Sequence, residues 1–229
     1  MRLLGNRSSL AIFRKDLLHL QASLEADDNA DIVALGGDVG ACLTELYSER
    51  DAFETAENTV VITRAVRKKR DKGVDTMLVD LGSRSRIKNK ALHGRLFPSL
   101  NPSDTGALPL DEQMHENDRI LSELKALDPA NPIRLEYEAP LETNIGRVKT
   151  AIQGADSAEL ALELGRAKLR AYKTKADKLR LSTHAKLLLI LGDKKAADSY
   201  FRPEFERDDR ETEGDEGGVG TGETGAKPA

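Results

Sequence analysis

Apolar residues near the start of the chain recur at alternating intervals of three and four: Leu10, Phe13, Leu17, Leu20 and Leu24. That spacing puts all five on one helix face and predicts a helix over residues 8–26. Ser8 or Ser9 is placed to cap it, a hydroxyl accepting from an orphan amide of the first turn. "DDNAD", Asp27 to Asp31, ends it with residues that prefer turns to helix interiors. The glycines of "LGGDVG" then read as an interhelix turn.

A much longer periodic stretch follows, from Asp38 to Lys90, carried by Val39, Leu43, Leu46, Phe53, Val60, Val74, Leu78 and Leu81. At a rise of about 1.5 Å per residue, about fifty helical residues make a rod of about 75 Å. The β-branched run "TVVIT" lies among Ala-, Glu- and Arg-rich turns and is assigned to this helix, and no strand alternation is sustained anywhere. Pro98, Pro102, Gly106 and Pro109 mark a loop. Residues 111–127 form a shorter helix with Met114, Leu121 and Leu124 on its face and Asp111 and Glu112 near its positive end, closed by "DPANP".

A second long helix is predicted from Pro140 to Leu191, through Leu141, Ile145, Val148, Ile152, Ala155, Leu162, Leu169, Ala176, Leu179, Leu187 and Ile190. Gly146, Gly154 and Gly165 each cost about 1 kcal/mol relative to Ala in a helix interior and mark sites for breaks or kinks. A short helix at 193–202, with Asp193 as its cap behind Gly192, stops at Pro203. The pattern as a whole predicts an all-α fold: an elongated antiparallel helical bundle, a coiled-coil-like hairpin of two long helices with shorter helices packed on it. Residues 1–203 are expected to form this bundle domain.

Composition sharpens the picture in two places. Of 229 residues, 32% are charged and 4% aromatic, with no Trp, so packing is expected through Leu, Ile, Val and Ala seams. The net charge of -4 hides a division: residues 204–229 hold nine acids against three bases, leaving 30 acids and 32 bases in residues 1–203. That end also carries six of the 18 glycines and almost no apolar side chains, and is expected to be a disordered acidic tail. No segment reaches the about 18 uninterrupted apolar residues of a membrane span, so a soluble, cytoplasmic protein without a membrane partner is expected.

Candidate chemistry is sparse. Cys42 is the single cysteine, which excludes an intrachain disulfide and a thiolate zinc site built from this chain, and its position between Ala41 and Leu43 fits a buried thiol. His19, His93, His115 and His184 lack the paired Glu-x-x-His pattern of di-iron bundles; Asp16 with His19 makes one pair and no site. "GGDVGAC" lacks the Lys and the preceding strand of a phosphate-binding loop. A non-enzymatic protein with no cofactor is therefore expected.

Two basic segments are the clearest signal. Arg64, Arg67, Lys68, Lys69, Arg70 and Lys72 against Asp71 give +5; Arg166, Lys168, Arg170, Lys173, Lys175, Lys178 and Arg180 against Asp177 give +6. Three readings compete for them. The first long helix could end near Lys72, its last-turn cations meeting the helix dipole and Gly73 supplying the left-handed residue after the stop. The two long helices could pair antiparallel with residue numbers summing to roughly 229, an assumed register that sets 64–72 against Glu159 and Glu163, and 166–180 against Glu49, Asp51, Glu54 and Glu57. Or the segments could bind nucleic acid or another polyanion through phosphate contacts, although Tyr172 is the only nearby aromatic. The leading expectation is a structural or protein-interaction protein that binds a protein partner or self-associates, with polyanion binding as the alternative.

Overall fold

The computed structural model describes residues 3–203, and the expected acidic tail at 204–229 lies outside them. The described residues are helical with no strand, in the order α1 (Leu10–Glu25), α2 (Ala30–Lys88), α3 (Lys90–Leu96), α4 (Leu110–Lys125), α5 (Pro132–Leu191) and α6 (Lys194–Asp198), with a 3-10 turn at Thr105–Ala107. The all-α expectation holds. The chain groups into two compact units: one comprises residues up to Glu54 and from Leu164 onward, the other Thr55–Glu163, and α2 and α5 contribute to both.

The first unit is built on the α1 face expected from spacing. Phe13, Leu17, Leu20 and Leu24 are fully buried with Ile32, Val39, Leu43 and Leu46 of α2, Tyr172, Ala176 and Leu187 of α5, Ala197 of α6, and Phe201. Ser9 caps α1 by accepting from the amide of Ile12 at 3.3 Å. "LGGDVG" forms no turn, because it lies inside α2. The glycines serve packing: a Cβ on Gly36 would stand 3.1 Å from Cγ of Glu25, and one on Gly40 3.0 Å from Nε2 of Gln21, so their absence lets α2 pass close to α1. Gly165 likewise leaves room for the Phe53 ring, 3.2 Å from where its Cβ would be.

This unit also buries a charge network. Arg180 is 1% exposed and donates to Asp177 at 2.9 Å and Asp16 at 3.1 Å, while its guanidinium lies 6.0 Å from the Phe201 ring centroid. Asp177 in turn accepts from the amides of Leu4 and Gly5, and Arg202 stands 3.8 Å from Asp16. The segment before α1 is thus tied to Asp177 of α5 and the one after α6 to Asp16 of α1, the two carboxylates that Arg180 joins. Gly192, with φ of 66°, closes α5, and Asp193 caps α6 by accepting from the amides of Lys195 and Ala196.

In the second unit, Val74, Leu78 and Leu81 of α2 pack with Leu92 and Leu96 of α3 and Phe97 just after it, with Ile120, Leu121 and Leu124 of α4, and with Ile133, Tyr137, Leu141, Ile145 and Val148 of α5. The helix α3, between the expected end of the long helix and the proline-marked loop, was not expected; Asn89 starts it by accepting from the amide of Leu92, and Arg119 of α4 closes it by donating to the carbonyls of Arg95 and Leu96. The helix α5 begins at Pro132, eight residues before the expected Pro140, because Asn131 accepts from the amide of Ile133 and Pro132 sits where a missing amide costs nothing. Pro140 then lies inside the helix, and Gly146 and Gly154 do not interrupt it.

The helices α2 and α5 run antiparallel in each unit. In the first, Glu45 pairs with Lys175 at 2.5 Å; in the second, Arg84 pairs with Glu136 at 3.4 Å. Both pairs of numbers add to about 220, not the assumed 229. The register is displaced by about nine residues, some two and a half helical turns.

Candidate functional site

Two of the three readings of the first basic segment are changed by this geometry. α2 continues through Gly73 to Lys88, and Gly5 and Gly192 are the only described residues in the left-handed region, so no helix ends at Lys72. The displaced register leaves one expected charge match in place. Arg64 donates to Glu159 at 3.1 Å, as the antiparallel reading expected.

Among the described residues, Arg67, Lys68, Lys69, Arg70 and Lys72 make no ion pair. Lys68, Lys69, Arg70 and Lys72 are exposed and Arg67 is half-buried. Asp71 is turned inward, where the buried Gln113 amide donates to its carboxylate at 2.9 Å and to that of Asp75 at 3.1 Å. The one acid in the segment is thus engaged by α4, and the outward face is left cationic. Burial, with the neighbouring charge of Asp71 second, holds the Asp75 carboxyl above the usual aspartate range.

The same stretch of α2 is short of buried apolar side chains. Between Leu46 and Val74, Val60 is its only buried hydrophobic residue, and α5 buries none between Ala158 and Tyr172. Val61 and Ile62 are 68% and 62% exposed, and Val66 and Ala65 are exposed beside them. At helical spacing, Ile62, Val66 and Lys69 form one stripe and Val61, Ala65, Lys68 and Lys72 the next. Each stripe begins apolar and ends cationic.

Beside this face, within the second unit, α2 and α5 enclose an open groove of about 620 Å3 lined by Thr63, Val66, Arg70, Thr143, Gly146, Arg147, Thr150, Ala151 and Gly154. Arg147, which the sequence reading did not single out, stands in the groove with Arg70; it lies outside both basic segments, and only the helix pairing brings the two together. Neither arginine has an ion pair or hydrogen bond among the described residues. The hydroxyls of Thr63 and Thr150 donate to the carbonyls of Thr59 and Gly146, four residues back on their own helices.

The second basic segment is used differently. Lys173 is buried and donates to the carbonyl of Asn6 at 3.2 Å, Lys175 pairs with Glu45, and Arg180 is the centre of the buried network. Arg166 is half-buried, and Lys168, Arg170 and Lys178 are exposed. At least three of its seven cations are therefore spent on holding the first unit together.

Cys42, His184 and His19 are engaged by neighbours within the first unit. Cys42 is buried, its sulfur 3.4 Å from the Tyr172 hydroxyl, which donates to the Cys42 carbonyl; burial pushes the thiol up from its ordinary value. His184 faces Asp198 at 2.8 Å, and His19 faces the Tyr200 carbonyl. Among the described residues no group of three His, Cys, Asp or Glu side chains is placed to hold a metal ion, and no helix is long and apolar enough to cross a membrane. Comparison with protein-family models, with curated proteins and with solved structures finds no match.

Proposed function

We propose that the protein is a non-enzymatic helical interaction protein that engages a protein partner through the exposed face of α2 between Val61 and Lys72. The observation that supports this most is the combination on one helix face of exposed Val61, Ile62 and Val66 with Lys68, Lys69 and Lys72, none of which makes an ion pair among the described residues. An apolar strip beside unpaired cations fits a surface that is covered by another protein better than one that faces water. Nucleic acid would use the cations and leave the apolar strip uncovered, and the second basic segment has three of its cations committed to internal contacts.

Photo-crosslinking side chains placed at Ile62 and at Lys69 test this in cells, with Leu189, an exposed position on α5, as the control. The expected result is one polypeptide captured at both α2 positions and not at Leu189, which rebinds the pure protein and loses that binding to Lys68→Glu/Lys69→Glu. Capture of nucleic acid, or of nothing, at the two positions overturns the reading.

A further inference from the structure

Gly146 and Gly154 lie within a 60-residue helix, where each is unfavourable relative to alanine, yet a Cβ on either would meet no atom within 4 Å. Gly36, Gly40 and Gly165 are explained by neighbours inside the chain; Gly37, Gly73 and Gly94 are open like these two, but only Gly146 and Gly154 line the groove. Both line the groove, spaced with Thr150 at intervals of four, so the bare backbone, Ala151 and Val66 make an apolar floor with Arg70 and Arg147 beside it. The space the glycines leave is open to something outside the chain.

We propose that this groove seats an acidic amphipathic helix of the partner protein, packed as a third helix against α2 and α5, with an apolar side chain over Gly146 and Gly154 and carboxylates on Arg70 and Arg147. This rests on the reading given under the proposed function and names the partner's chemistry. The charge follows from two guanidinium groups without an acid among the described residues. A carboxylate-bearing protein helix fits better than a phosphate chain because the floor between the arginines is apolar and would stay uncovered under a phosphate backbone. Missing side chains at an interface let two helix backbones approach closely, and small residues every four positions keep that path open along one face.

Fluorescence anisotropy of the full chain with a stapled, labelled peptide of about 20 residues, carrying a leucine stripe flanked by glutamates, reads the proposal directly. A matched peptide with lysine for glutamate and a single-stranded DNA oligonucleotide are the comparison probes. The glutamate peptide is expected to bind, the lysine peptide not. Arg70→Ala/Arg147→Ala is expected to weaken binding by about 10-fold or more, as is Gly146→Leu/Gly154→Leu, with no fall in the melting temperature of the latter. Glutamate-peptide binding that is unchanged in both groove variants but lost in Lys68→Glu/Lys69→Glu overturns the groove as the seat and leaves the α2 face as the interaction surface. Tighter binding of the DNA, or no binding of the glutamate peptide, overturns the acidic helix as the partner.

Discussion

Arg180 is the residue on which the first unit most depends. Its guanidinium neutralises Asp16 and Asp177 from a position that is 1% exposed, and Asp177 holds the amides of Leu4 and Gly5. Arg180→Ala leaves two buried carboxylates without their main counter-charge, and a loss of about 3–5 kcal/mol is expected in urea denaturation. Cys42 makes a second expectation. Because the thiol is buried and its pKa raised by burial, a thiol reagent at pH 8 is expected to react only as fast as the protein opens, and fully once urea unfolds it. Asp75 supplies a pH dependence. Its carboxyl titrates above its ordinary 3.8 in the folded state, so the folded protein takes up the proton first and stability falls as pH rises from that value through the raised one. Asp75→Asn is expected to raise the denaturation midpoint at pH 7, with the gain shrinking as the pH is lowered towards 4. The buried thiol was legible in the sequence, but the roles of Arg180 and Asp75 were not, since Arg180 reads there as one more cation in a basic run and nothing in the spacing marks Asp75.

At the scale of elements, Gly73 separates the two accounts of the basic segment. A glycine that ends a helix in the left-handed region resists replacement, whereas one in a helix interior with open space beyond it does not. Gly73 is of the second kind, and Gly73→Ala is expected to stabilise the protein by about 0.5–1 kcal/mol, measured by the same denaturation. The faces of α1, α4 and α5 were legible because three-and-four spacing survives any tertiary arrangement. The glycine clusters were not. The same residue is a turn former when the chain must reverse and a contact point when a neighbouring helix passes close, and Glu25 and Gln21, standing over Gly36 and Gly40, decide between them. The short helix α3 escaped for a related reason: it is closed by Arg119, more than twenty residues away in sequence.

For the molecule as a whole, buried apolar residues concentrate in two clusters, while α2 from Leu46 to Val74 and α5 from Ala158 to Tyr172 contribute almost nothing to either. Amides in those stretches are expected to exchange with deuterium faster than those of Leu17, Leu78 or Leu141, and a bound partner on α2 is expected to slow exchange selectively around residues 61–72. The sequence determined that the described residues are helical, that two long helices dominate them, that the chain has a single thiol, and that two of its segments are strongly basic. It could do so because periodicity, capping and charge are local properties. The tertiary structure decided the register between α2 and α5. A shift of about nine residues leaves Lys68 and Lys69 without the acids expected opposite them, brings Arg147 to Arg70, and draws Lys173 and Arg180 into the interior. Register depends on how side chains from distant segments interlock, and exposed charge pairs, worth about 0 to 1 kcal/mol each, are too weak to set it against the packing of Leu78, Leu81, Leu141 and Ile145.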